Sequence, residues 1–294
     1  MKIIPIAADS LGVRSMATFI ETATGGRILV DPGVALAPDL GGMPPHPVER
    51  WMFEKSVERI KLYARIADLV IITTYEPGHF YEISPEIYRN KKILIKNPNS
   101  RIPASQRNRA FTFIQNGQKQ KQYEIRYADT GRLEINDVAI QFSSSLFTDT
   151  QQTNTCVMFS IEEYDTVFLF SSCISGNICQ KGEAFIIDAM PDIMYLDGPD
   201  VTAGDSDGQA EVRACISNIA RVIEKARISQ LILDHHIKRS ASWEDSITDI
   251  AAVAAARNIE IKSAAGMRGE EEQLLEARRR ILYQYDAERQ QRLF

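Results

Sequence analysis

Asp68-Leu-Val-Ile-Ile-Thr-Thr-Tyr-Glu-Pro-Gly-His79 is the stretch on which the fold turns. Residues 69–72 form an unbroken apolar run, three of the four β-branched. A short run of this kind, bounded by turn residues, reads as a strand buried on both faces, as in a parallel sheet held between two layers. Pro77-Gly78 then turns the chain away, so residues 74–79 leave the strand at its carboxyl end.

Upstream, residues 46–67 carry Met52, Val57, Ile60, Tyr63 and Ile66 at helical spacing, with Pro44, Pro45 and Pro47 at the approach. Residues 16–21 and 27–30 read as a hairpin around Gly25-Gly26, and Asp31-Pro32-Gly33 closes its second strand in a sharp turn. Residues 2–7 add a short strand. Downstream, strands are expected at 92–96, 138–142, 155–161, 166–170, 185–187 and 193–196, with a helix near 105–115. An amphipathic helix over 207–226 lines up Val212, Ile216, Ile219, Ala220 and Ile223 before the buried strand 230–234. A helix at 246–257, a strand at 260–262 and a long helix at 269–289 complete the chain. No linker or short repeat interrupts it, so a single domain over 1–294 is expected, with a helical tail from about 269. Two strand-rich halves, each followed by helices, suit an α/β architecture of two facing sheets with helices outside. The same pattern also admits a doubly wound sheet.

The 294 residues carry a net charge of −5, with 44% hydrophobic and 25% charged residues, as in an ordinary globular protein. That balance speaks against nucleic acid as a partner, and the arginines at 278–280 and 289–292 read as a solvated face. No apolar run reaches 18 residues and no secretory leader is visible at the start, so no membrane association is expected. Cys156, Cys173, Cys179 and Cys215 form no CxxC pair, which points to reduced thiols in a cytoplasmic protein. Phosphate-binding glycine motifs and the GxSxG elbow are missing.

Several segments, in order along nearly the whole chain, carry a resemblance. They are Ser10-Leu-Gly-Val-Arg-Ser-Met-Ala-Thr-Phe19, Leu29-Val-Asp31-Pro-Gly-Val-Ala-Leu36, Pro44-Pro-His-Pro47, Leu233-Asp-His-His236 with Arg239, and Leu274-Leu-Glu-Ala-Arg-Arg279. Together they resemble an uncharacterised archaeal family of the metallo-β-lactamase superfamily. The resemblance implies the four-layer αββα sandwich of that fold.

It also implies where metal ligands would stand. In metallo-hydrolases of this kind the strand after the first long helix ends in His-x-His-x-Asp-His. Imidazoles leaving a strand edge on one face hold one zinc, while the Asp-His pair reaches a second. Two such ions polarise a bridging water. Here Thr74, Glu76 and Gly78 replace His, His and Asp, and His79 alone remains. The next histidine falls at about Thr148, the bridging carboxylate at Cys173, and the final histidine at His235 or His236. A binuclear centre is therefore not expected.

Three functions stay open. The first is a ligand-depleted, non-catalytic binding or scaffold protein, a pseudoenzyme with no cofactor. The second is a mononuclear hydrolase holding one zinc ion through His79, Cys173 and His235 or His236, one thiolate with two imidazoles being a known catalytic zinc set. The third is a partner subunit, pairing with another copy or with an intact paralogue. Glu76 and His79, three residues apart in a turn, are the candidate acid–base pair. Blander roles stand beside these: Cys173 as a small buried apolar side chain, and Asp234-His235-His236 as a capping and packing cluster.

Overall fold

The computed structural model describes residues 1–80, 85–120, 123–135, 138–149, 151–202 and 206–291. In chain order the first half gives β1 (Lys2–Pro5), β2 (Thr18–Glu21), β3 (Arg27–Val30), α1 (Pro47–Ile66), β4 (Leu69–Ile72), β5 (Lys91–Ile95), α2 (Ala104–Gln120), β6 (Tyr123–Tyr127), β7 (Arg132–Ile135) and β8 (Val138–Phe142). After these come β9 (Leu146–Phe147), β10 (Thr155–Cys156), β11 (Phe159–Glu163), β12 (Thr166–Phe170), α3 (Gln180–Ala189), β13 (Ile193–Leu196), α4 (Ser206–Lys225) and β14 (Gln230–Leu233). Short α5 (Trp243–Ser246), α6 (Thr248–Arg257), β15 (Glu260–Lys262), α7 (Ala264–Met267) and α8 (Arg279–Gln291) follow.

The strands make a six-stranded sheet in sequence order, β1 to β6, a seven-stranded sheet ordered β15-β14-β13-β12-β11-β8-β7, and a small antiparallel pair, β9 with β10. Within the first, β3 to β6 run parallel; within the second, β12 to β15 do. The unbroken apolar run of β4 is explained by what lies on each side. Leu69 and Ile71 join the core between the sheets, whereas Val70 and Ile72 pack with α1 and α2 residues such as Ile60 and Phe113. In the other sheet, Phe168, Phe170 and Ile232 face the inter-sheet core, while Leu169, Leu231 and Leu233 meet Ile216, Ile219 and Ile223 of α4. Helices, sheet, sheet and helices thus form four layers, the expected αββα sandwich. Each fully buried aliphatic side chain contributes about 1.5–3 kcal/mol, so both sheets are anchored from both faces.

Local rules fix α1. His46 accepts a hydrogen bond from the Val48 nitrogen through Nδ1, Glu49 Oε1 accepts one from the His46 nitrogen at 3.1 Å, and Pro47 opens the first turn. This capping box satisfies donors that a helix start leaves bare.

Three expectations need correction. Residues 185–187 lie inside α3 and not in a strand: Gly182 and Ile186, one turn apart, are buried, while Phe185, Ile187 and Ala189 pack against the core only in part, as on one face of a helix. The tail helix begins at Arg279, ten residues later than expected. Gly269 adopts φ +67, the Gln273 nitrogen is drawn to the Ser10 carbonyl at 2.7 Å, and Leu275 packs on Gly12. Tertiary contacts override helix propensity there. The strand expected at 155–161 is also split into β10 and β11. Among the described residues no helix is long and apolar enough to cross a membrane.

Candidate functional site

The carboxyl ends of β3, β4, β12, β13 and β14 open onto one cleft of about 610 Å³. Ligands in open parallel sheets bind outside such ends. Glu76, His79, Cys173, His235 and His236 all line it, with Gly78 and Thr148, whereas Thr74 lies behind the wall.

Three imidazoles form its floor. The His79 and His235 rings meet edge to face with centroids 5.0 Å apart, and His235 stacks on His236 at 4.2 Å. Each ring leans on a buried carboxylate: His79 Nδ1 on Asp31 at 2.8 Å, His235 Nδ1 on Asp9 at 2.6 Å, and His236 Nδ1 on Asp197 at 3.1 Å. Sequence reading missed all three aspartates. Asp31 stood in view at the end of the β3 turn, but nothing in the spacing ties Asp9 to a residue 226 positions away.

Asp31 is held rigidly. It accepts from the Thr73 nitrogen at 2.8 Å and from the Thr73 hydroxyl, which also touches Ser172 Oγ at 2.6 Å. Its φ of +42 is a left-handed conformation rare outside glycine. Two residues on, Gly33 lies against the loop that carries His79. A Cβ there would stand 2.1 Å from the Phe80 nitrogen, so only glycine fits.

Burial opposes charge on the His79 ring, yet the adjacent Cys173 sulfur and the Asp31 carboxylate together hold its pKa well above the usual histidine range. Its Nε2 is buried without a hydrogen-bond partner among the described residues. A hydrogen bond with Cys156, and then burial, push the Cys173 thiol well above its ordinary range, so at neutral pH it is uncharged. Burial, followed by the Arg239 guanidinium, keeps His235 and His236 well below the ordinary value and neutral. Burial raises Asp197 to about 7.

Glu76 and His79 do not pair through their side chains. Glu76 Oε1 is taken by Arg109 at 2.8 Å and by Gln106 at 2.9 Å, while His79 turns to Asp31. Only the backbone joins them, His79 nitrogen to Glu76 carbonyl at 2.9 Å. Asp234 spends its carboxylate on the backbone nitrogens of Ser10, His235 and Ala264, a structural role.

No family model matches the chain. Over 287 residues it is 32% identical to a UPF0282 protein of Korarchaeum cryptofilum, covering 97% of this chain and 95% of the relative. It is 34% identical over 292 residues to one from Sulfolobus acidocaldarius, covering 97% and 94%. The chain belongs to the UPF0282 family. Among solved structures this UPF0282 protein is similar to an isothiocyanate hydrolase from Delia radicum gut bacteria, with a TM-score of 0.54 at 13% identity, covering 90% of this chain and 95% of that one. The metallo-β-lactamase fold protein YhfI from Bacillus subtilis gives 0.50 at 14% identity, covering 85% and 88%. These likenesses establish the metallo-β-lactamase fold.

The metals implied by that fold do not fit this UPF0282 chain. The Thr74 hydroxyl donates to the Thr155 carbonyl at 2.8 Å and accepts from Gln106 at 3.0 Å. Glu76 is neutralised by Arg109, and Gly78 offers no donor. Thr148 donates to Asp149 at 3.3 Å, and Cys173 is a neutral thiol. Among the described residues no three His, Cys, Asp or Glu side chains gather to hold a metal ion.

Proposed function

We propose that this UPF0282 protein binds a small polar ligand in its cleft without a metal ion, in place of the two-metal hydrolysis that its fold supports elsewhere. One observation carries the reading: the positions that would ligate metal are filled by groups already committed to hydrogen bonds of the fold, while the cleft itself is kept. Gln106 replaces an ion as the organiser of this wall. Buried and 0% exposed, it bridges Thr74 and Glu76 through its amide nitrogen and takes the Thr155 nitrogen and hydroxyl on its oxygen. A satisfied network of this kind rigidifies a site.

Metal analysis of untagged protein, purified under reducing conditions, tests the proposal. Metal is expected well below one ion per chain, and a chelator should leave the melting temperature unchanged. A second reading, one zinc ion on His79, Cys173 and His235 or His236, draws support from the carboxylates behind the imidazoles, since metal-bound histidines have such partners. Stoichiometric zinc that disappears in Cys173→Ser would establish it and sink the first.

A further inference from the structure

We infer that a slot between the two sheets, at the amino ends of β3, β4 and β5, binds a medium-chain fatty carboxylate, its chain in the slot and its head on Lys91 and Lys92. The slot encloses about 760 Å³, a volume in the range of small-molecule sites. It lies at the other end of the strands from the cleft and does not depend on whether the cleft holds a metal ion.

Both sheets supply its depth. Ile28 and Leu69 come from the first sheet, Val138 and Ile140 from the second, and all four belong to the core between the sheets. The charged and polar lining residues stand around the mouth. Side chains alternate along a strand, and in β5 Leu94 packs between the sheets while Ile93 and Ile95 face the helices. Lys92, two positions before Leu94, shares its face and so stands where the pattern calls for an apolar side chain. It is exposed, so the sheets part at this level and leave room beside the lysine stem.

The mouth is cationic in a protein whose net charge is −5. Its carboxylates are already matched: Asp68 accepts both Arg27 hydrogen bonds at 3.0 Å, and Glu124 is held by Arg126 at 2.8 Å. Its lysines are not. Among the described residues neither Lys91 nor Lys92 pairs with a carboxylate, and Lys91 Nζ donates to the Ala67 carbonyl at 2.7 Å, which leaves donors to spare. An apolar slot that ends at two unmatched ammonium groups is complementary to an amphiphile with one anionic head. The chain is buried by the hydrophobic effect, and the head takes charge-assisted hydrogen bonds.

Equilibrium dialysis of the full chain against octanoate, decanoate and decanol tests this. Decanoate should bind one per chain and about 15-fold more tightly than octanoate, since each buried methylene adds about fourfold. Lys92→Glu should weaken decanoate about tenfold, the size of one hydrogen bond to a charged group, and change decanol by less than about twofold. Thr24→Trp, at an exposed position on the rim, should close the mouth and weaken both ligands. Neither substituted side chain is in the core, so both variants keep the fold. No binding of decanoate, equal affinity for octanoate and decanoate, or decanoate binding that both variants leave unchanged overturns the inference. The last of these would place the ligand elsewhere, the cleft included. Sedimentation of the same samples adds one more outcome. A dimer that Thr24→Trp breaks and decanoate does not would assign the slot to a second copy of the chain and overturn the inference as well.

Discussion

Replacing Gly33 with alanine should be among the most damaging single-methyl changes in this protein. An added Cβ would sit 2.1 Å from the Phe80 nitrogen, 2.3 Å from the His79 carbonyl carbon and 2.7 Å from the His79 nitrogen, all of them backbone. Contacts below 3.0 Å are not tolerated, so the 79–80 segment must retreat by about 0.9 Å, from 2.1 to 3.0 Å. It cannot do so without cost. The nitrogens of His79 and Phe80 both donate to the Glu76 carbonyl at 2.9 Å, and the His79 ring is tied to Asp31. Overpacking that forces backbone shifts costs about 1–3 kcal/mol, and the buried hydrogen bonds on the moving side place this case near about 3 kcal/mol. In a chain of 294 residues that lowers the melting temperature by about 5 °C. Gly25→Ala is the control: its φ is +85 but nothing lies within 4 Å, so it suffers backbone strain alone, about 1 kcal/mol. Urea unfolding and calorimetry read both variants. If Gly33→Ala unfolds within about 0.5 kcal/mol of the wild type, the packing of the Asp31–Gly33 turn on the His79 loop is wrong.

Three other outcomes follow from the same structure. Asp197 has its folded pKa raised to about 7 from 3.8, so its favourable contribution is complete below the unfolded value and disappears as pH rises through 7. Asp197→Asn should therefore gain on the wild type by up to about 4 kcal/mol between pH 4 and 8, and a pH-independent difference in urea midpoints would contradict this. Arg279 is 1% exposed and pairs with both Glu49 oxygens at 2.7 Å, so Arg279→Ala strands a buried carboxylate and should cost about 3–5 kcal/mol. A loss below about 1 kcal/mol in chemical denaturation would refute that pairing. Gln106→Ala should cost about 1–3 kcal/mol by orphaning Thr74 and Thr155, and unchanged unfolding would show that water satisfies them.

The layers of the fold were legible because burial writes itself into period. The run 69–72 is apolar throughout since alternate residues enter different cores, and the α4 stripe marks its contact face. Residues 185–187 misled because three consecutive apolar side chains look the same in a buried strand and in one turn of a helix. The tail failed for the opposite reason: residues 269–278 have helical composition, but Ser10 and Gly12 dictate their path. Within the cleft, the residues that replace metal ligands could be named through the resemblance to metallo-hydrolases. Their new partners could not. Gln106 and Arg109 come from α2 and Asp9 from the opening segment, and long-range hydrogen bonds leave no periodic trace.

The cleft and the fold around it are stitched together from opposite regions of the sequence. Asp9 meets His235, the Ser10 nitrogen meets Asp234, and Arg279 clasps Glu49 across 230 positions. A nascent chain growing at about 5–20 residues per second must therefore carry its opening strands for on the order of ten to forty seconds before their counterparts exist. Slowed translation of the second half should lower the yield of properly assembled molecules more than slowed translation of the first.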